Sequence, residues 1–273
     1  MRTVVALARC SHFAPTVAVT AFAALMALSA GRAGGAAWVG LAVLAGQLSV
    51  GWSNDWLDRD RDRVAGRVDK PLVRGDISDG LLLRCAVGAL VLAIPLSFAS
   101  GFAAGGVHLF AVAFAWAYNL RLKSTVISFV PYLAAFGLLP AFVTLGLTPA
   151  VWPPWWAVLA GAALGAGAHF TNAVPDLADD AATGVRGLPH VLGRVGSLVV
   201  AGGLLGAGAL AVTLGPEGPP NGLQLLALGL SLAGVVAIVV LGSTGRPRLA
   251  FPATLGVAGV VVVAFLTAGA QLT

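Results

Sequence analysis

Asn54, Asp58, Asp62 and Gly66 form the pattern NxxxDxxxDxxxG, and Asn172, Asp176, Asp180 and Gly184 repeat it at the end of another strongly apolar segment. The chain has 273 residues and only 11 acids. Matched carboxylates at i, i+4 and i+8 beside two hydrophobic stretches point to paired sites for a divalent cation rather than scattered surface charge. On a helix turning about 100° per residue, Asn54, Asp55, Asp58 and Asp62 share an arc of roughly 100°, while Asp60 points to the far side. Such a face supplies part of an octahedral oxygen shell for Mg²⁺ and leaves the rest to water or substrate phosphate.

In the second copy Thr171 adds an oxygen near Asn172, Asp176 and Asp180, and Asp179 falls on or near the same face. Pro175 removes a backbone donor, so the helix is expected to kink or unwind there. At membrane depth a break of this kind is tolerated where it lines a polar cavity.

Three basic segments accompany the acids. After the first motif come Lys70, Pro71 and Arg74, with Gly75 closing a turn and Ser78 placed to cap the next helix. Lys70 and Arg74 either reach an anion or neutralise the acidic helix end. Tyr118, Asn119, Arg121, Lys123 and Ser124 form a short basic loop, read as membrane anchoring or as the side of an anion site. Arg186 and His190 follow the second motif. His12, His108, His169 and His190 have no second histidine at ligand spacing and are read as loop or interface residues. Asp60, Arg61 and Asp69 are read as a solvated, mutually paired surface.

The elements that must position these residues are membrane helices. Hydrophobic residues make up 58% of the chain, charged residues 10%, and the mean hydropathy is +0.92. A soluble surface cannot be built from that composition. Period-2 alternation is absent, and a helical span needs about 20 apolar residues. The predicted fold is all-α, a polytopic membrane protein with nine transmembrane helices in one bundle. Its spans cover residues 14 to 30, 35 to 53, 81 to 99, 102 to 119, 126 to 147, 154 to 174, 193 to 214, 222 to 242 and 249 to 271. With a cytoplasmic N-terminus, 15 of the 16 basic residues lie inside and only Arg32 outside. Ten of the eleven acids fall on the same side, Glu217 being the exception. Chemistry is therefore expected at the cytoplasmic face.

The net charge of +5 belongs to these loops, and no nucleic-acid motif accompanies it. Residues 14 to 30 read as an uncleaved first helix rather than a signal peptide. Cys10 and Cys85 fall on the reducing side with no CxxC partner. The motifs follow the second and sixth spans, so the repeat is parallel, which counts against an inverted-repeat transporter. No linker divides the chain, and residues 1–273 are expected to form one domain.

These residues resemble the UbiA superfamily of intramembrane prenyltransferases. Asn54-Asp55-Trp56-Leu57-Asp58-Arg59-Asp60-Arg61-Asp62 matches the family's NDxxDxxxD motif, and Asp176 to Asp180 matches its DxxxD motif. The Lys70–Ser78, Tyr118–Lys123 and Gly184–Gly193 segments are similar too, so the resemblance covers essentially the whole chain. It implies a nine-span bundle around a central cavity, with Mg²⁺ bridging both motifs to a polyprenyl diphosphate whose tail leaves laterally into lipid. On this resemblance Asn54, Asp55, Asp58, Asp62, Asp176 and Asp180 bind metal. Lys70, Arg74, Tyr118, Arg121, Lys123, Asn172 and Arg186 hold diphosphate, and Asp58, Asp176, Lys70 and Arg121 are the catalytic candidates.

An aromatic quinone-precursor acceptor is expected from the centre of the family. Arg63-Val64-Ala65 replaces the Lys-Arg-Thr continuation of several hydroxybenzoate and haem enzymes, which argues against those acceptors. A terpene cyclase working without an acceptor and an ion or small-molecule transporter are the alternatives. Ala and Gly richness points to a bacterial cytoplasmic membrane.

Overall fold

Helix is the regular structure throughout the described residues, as it must be where lipid offers the backbone no hydrogen-bonding partner. The computed structural model describes residues 2–182, 184–244 and 247–273, and side chains for all of these except 178, 179, 182, 242, 243, 247, 248, 250 and 251. Arg246 and the side chains of Asp179 and Arg248 thus lie outside the described residues. In chain order the helices are α1 (Arg2–Cys10), α2 (Phe13–Ser29), α3 (Ala33–Val64), α4 (Pro71–Arg74), α5 (Asp79–Phe98), α6 (Phe102–Leu120), α7 (Val130–Gly137), α8 (Leu139–Thr144), α9 (Trp155–Ala173), α10 (Leu177–Ala182), α11 (Leu188–Leu214), α12 (Gly222–Ser243) and α13 (Pro247–Thr267).

Six stretches among the described residues are long and apolar enough to cross a membrane: Ala33–Val64, Asp79–Phe98, Phe102–Leu120, Trp155–Asp176, Leu188–Leu214 and Gly222–Leu241. The other three expected spans fall on α2, which is bent 67° from α1, on the broken α7 and α8 pair, and on α13. Leu25 and Leu28 of α2, Val91 and Leu92 of α5, Phe110 of α6 and Leu226 of α12 are exposed. A soluble monomer rarely exposes so much apolar surface, whereas lipid accepts it.

Several boundaries depart from the sequence expectation for identifiable reasons. Helix α3 continues past residue 53 to Val64, carrying the whole acidic motif, because Arg61 pairs with Asp58 and Arg63 with Asp60 at i, i+3 spacing. The fifth span breaks at Leu138, just before Pro140, which cannot donate to the preceding turn. At Pro175 the chain tightens into a 3₁₀ turn, Val174–Asp176. Helix α11 begins at Leu188 and kinks at Gly193, where φ is 66°. Ser78 caps α5, its Oγ accepting from the Leu81 N–H at 3.3 Å.

The bundle core is built mainly from small residues. Ala157, Ala160, Leu164, Leu205 and Ala209 bring α9 and α11 together, and Val39 and Val43 of α3 and Phe142 and Val143 of α8 belong to the same core. Close approach is most demanding at Gly165 in α9, where a Cβ would stand 2.6 Å from both the Tyr132 carbonyl oxygen and Phe136 Cβ. A second, smaller apolar cluster sits at the acidic end of α3. Ala6 and Cys10 of α1 meet Leu72, Ile77 and Leu82 there, with Trp52 and Trp56 alongside. The Trp52 indole N–H donates to the Leu7 carbonyl at 2.9 Å. This cluster fixes the α4 turn, and hence Lys70, against α3.

Candidate functional site

Asp55 is only 3% exposed, and its Oδ1 accepts from Lys70 Nζ at 2.7 Å and faces His12 Nε2 at 3.5 Å. One turn on, Asp58 is held by Lys123 through Oδ1 and by Arg61 through Oδ2, the latter at 2.8 Å. Asp62 is also buried, yet among the described residues no cation comes within 4 Å of it. Asp60, on the far side of α3, is 72% exposed and pairs with Arg59 and Arg63.

Asn54 is oriented by a neighbour on α6. The Asn119 amide donates to the Val50 carbonyl and to Ser53 Oγ, both at 2.9 Å, so both its hydrogens are used. Its Oδ1 therefore accepts from Asn54 Nδ2 at 3.1 Å. Asn54 is left with its carbonyl oxygen as the free end of the amide.

On the second motif, Asp176 and Asp180 are half-buried and Asn172 is exposed. Burial pushes the Asp180 carboxyl above its usual range, against the pull of Arg61 and His190, while Asp176 and Asp58 push the same way as burial. His190 Nε2 lies 3.7 Å from Asp180 Oδ2. The two motifs are coupled through shared cations. Arg61 and Lys123 act on both Asp58 and Asp180, and Arg67 on both Asp62 and Asp176.

The basic residues divide. For Lys70, burial works against the ammonium, but the charge and hydrogen bond of Asp55 outweigh it and raise the group above its ordinary value. Burial wins at Lys123 and lowers it, although Asp58 and Asp180 oppose the shift. Arg74 turns to Asp76 at 2.7 Å within its own loop. Arg121 and Arg186 are exposed and make no ion pair among the described residues.

Below the acids the same face of α3 continues as Val50, Gln47, Gly46 and Val43, which line an apolar cavity walled by α6, α7 and α8. Beside its upper end stand Tyr118, Tyr132, His169 and Phe136. The ring centroids of Tyr118 and Tyr132 are 5.1 Å apart, and those of Tyr132 and His169 5.0 Å. Tyr118 also feels both Asp58 and Asp180, so the aromatic cluster borders both motifs.

The model of the UbiA prenyltransferase family matches residues 16–267. The chain belongs to this family. Its fold is similar to that of an apo UbiA homolog from Aeropyrum pernix K1, with a TM-score of 0.73 at 20% identity over 92% of this chain and 97% of that one. A UbiA homolog from Archaeoglobus fulgidus bound to DMAPP and Mg²⁺ matches with a TM-score of 0.69 at 18% identity, over 98% and 99% of the two chains. A digeranylgeranylglyceryl phosphate synthase matches at 0.69 and 16% identity over the full length of both. No functionally curated protein matches the sequence.

For a UbiA chain the question is whether these side chains suit a divalent cation. The candidate donors are all hard oxygens, from Asn54, Asp55, Asp58, Asp62, Asp176 and Asp180, which is the chemistry Mg²⁺ selects. Among the described residues no three His, Cys, Asp or Glu side chains converge as a ready ligand group. Asp55 and Asp58 instead lie on Lys70, Lys123 and Arg61, which offset their mutual repulsion.

Four site residues escape the sequence reading of this UbiA chain. Arg61 reads as a solvated, paired charge and Arg67 carries no assigned role until the fold brings the second motif's Asp180 and Asp176 within electrostatic reach of them. The i+3 spacing of Arg61 from Asp58 was the available signal. His12 reaches Asp55 only because it takes a left-handed conformation, φ 52°, at the bend between α1 and α2. The role of Asn119 depends on the α3–α6 contact and left no local trace.

Proposed function

We propose that the chain is a Mg²⁺-dependent prenyltransferase that moves a prenyl group from a polyprenyl diphosphate to an aromatic, quinone-precursor-like acceptor within the membrane. The observation that carries this reading is one continuous face of α3. It runs from buried, cation-paired carboxylates at Asp55 and Asp58 to an apolar cavity beginning at Val50. A charged head and a hydrocarbon tail are the two halves of the ligand that such a face suits. The DMAPP and Mg²⁺ bound by the Archaeoglobus fulgidus homolog support the same assignment.

In this reading Asn54, Asp55, Asp58, Asp62, Asp176 and Asp180 hold Mg²⁺, which when bound neutralises charge on the diphosphate. Lys70 and Lys123, released from their carboxylates, bind phosphate oxygens together with Arg61. They stabilise the negative charge that grows as the C1–oxygen bond breaks. Tyr118, Tyr132 and Phe136 offer aromatic faces to the allylic cation and a stacking surface to a planar acceptor. The acceptor ring attacks C1 and gives up a proton as aromaticity returns. Arg74, Arg121, Asn172 and Arg186 belong to this assignment only through movement on binding.

The bundle is read as one domain of nine spans, N-terminus in the cytoplasm and site facing it, on the distribution of basic residues. The test is purified protein in nanodiscs with Mg²⁺, dimethylallyl to geranylgeranyl diphosphate and a panel of phenolic acceptors, followed by mass spectrometry. A prenylated phenol is the expected product. Cyclised hydrocarbon without an acceptor would make the chain a cyclase, and solute flux without bond cleavage a transporter.

A further inference from the structure

His108 of α6 is the feature that the diphosphate chemistry leaves unused. Its ring is 5% exposed and lines the apolar cavity from the side away from the acids. Ser97 fixes its tautomer. The single Ser97 hydroxyl proton goes to the Ala93 carbonyl at 2.5 Å, so the 2.7 Å contact between Ser97 Oγ and His108 Nδ1 is donated by Nδ1–H. Nε2 is then a bare acceptor. Phe142 lies flat on the ring, 4.4 Å between centroids and 18° between planes, and holds its tilt. The Nε2 edge faces α3 at Gly46, where a Cβ would stand 3.5 Å from Nε2. Among the described residues no group donates a hydrogen bond to it.

From this geometry we infer that His108 sets prenyl chain length, selecting a ten-carbon chain over longer ones; the inference rests on the prenyl diphosphate reading above. Gly46 precedes Asn54 by eight residues, so the imidazole edge lies roughly 12 Å along the helix axis from the head site. Each isoprene unit adds four main-chain carbons, roughly 4 to 5 Å when extended at ordinary bond lengths. A geranyl chain therefore ends at the imidazole edge. A farnesyl or geranylgeranyl chain that continues down the cavity covers Nε2 with hydrocarbon. That leaves the acceptor under hydrocarbon with no donor, a loss worth about 10- to 100-fold in affinity.

The experiment is equilibrium binding of geranyl and geranylgeranyl diphosphate to full-length protein in nanodiscs with Mg²⁺, with inorganic diphosphate as competitor. Wild type should prefer geranyl diphosphate by about 10-fold or more. His108→Leu, which removes the acceptor at similar bulk, should bring the ratio close to one, and His108→Gln, which keeps a polar group, should retain the wild-type order. Equal wild-type affinity for both lengths overturns the inference, as does an unchanged ratio in His108→Leu. Equal wild-type affinities overturn it even if the variants fail to fold. If inorganic diphosphate binds with Mg²⁺ while chain length makes no difference, only the role of His108 falls. If neither inorganic diphosphate nor any prenyl diphosphate binds, the prenyltransferase reading falls with it.

Discussion

Lys70 Nζ lies 2.7 Å from Asp55 Oδ1, joining the loop after the first acidic motif to the buried face of α3. Asp55 is 3% exposed, so removing either partner leaves a desolvated charge. Asp55→Asn and Lys70→Met should each destabilise the protein by about 3 to 5 kcal/mol, the usual cost of breaking a buried pair. The double variant should regain most of that in a thermal melt. It should not regain diphosphate release, because the reaction needs both groups. A double variant with restored activity would reduce the pair to a structural role.

Asp58 and Asp60 sit on the same helix but on opposite faces. Asp58→Asn and Asp176→Asn should lower prenyl diphosphate turnover by at least about 100-fold, the loss of roughly 2.7 kcal/mol of transition-state stabilisation. Asp60→Asn, at a site 72% exposed, should stay within about twofold of wild type. Mg²⁺ titration of each variant separates lost metal affinity from lost chemistry.

The contrast between Asp58 and Asp60 also shows what a sequence makes legible. Helical periodicity separates them without coordinates, and the apolar runs that precede both motifs locate α3 and α9. Proximity between distant segments leaves no such periodic mark. The charge of Asp176 acts on Arg67 across more than a hundred residues, and Asn119 orients Asn54 through the packing of α6 on α3. Helix α1 was hidden for a related reason. Its nine residues are too few to register as a span, and its burial depends on Leu72 and Ile77. Conversely, Arg74, Arg121 and Arg186 were legible as nearby charge but do not join the motif acids: Arg74 is held by Asp76 in its own loop, and Arg121 and Arg186 are exposed.

Gly165 tests whether the aromatic cluster must keep its place. A Cβ there meets the Tyr132 carbonyl and Phe136 at 2.6 Å, so Gly165→Ala must push α9 and α7 apart. We expect a loss of about 1 to 3 kcal/mol, read by thermal denaturation in detergent. Displacement of Tyr132 should also lower turnover more than it lowers diphosphate binding. A variant with wild-type stability and turnover would show that the two helices tolerate separation.

The pH profile follows from two half-buried groups with opposite shifts. Burial raises Asp180 above its ordinary value of 3.8, so as pH falls the carboxylate takes up its proton earlier than a free aspartate would. Burial lowers Lys123 below its ordinary 10.5, so as pH rises the ammonium is lost earlier than a free lysine. Both forms required for binding, Asp180 charged and Lys123 charged, therefore coexist over a narrower window than unperturbed groups would allow. The profile of kcat/KM should be a bell squeezed from both sides. Lys123→Arg, whose guanidinium keeps its proton above pH 12, should move the alkaline limb upward while leaving the acid limb in place. An alkaline limb that stays fixed in Lys123→Arg would assign that titration to another group and remove Lys123 from the diphosphate site.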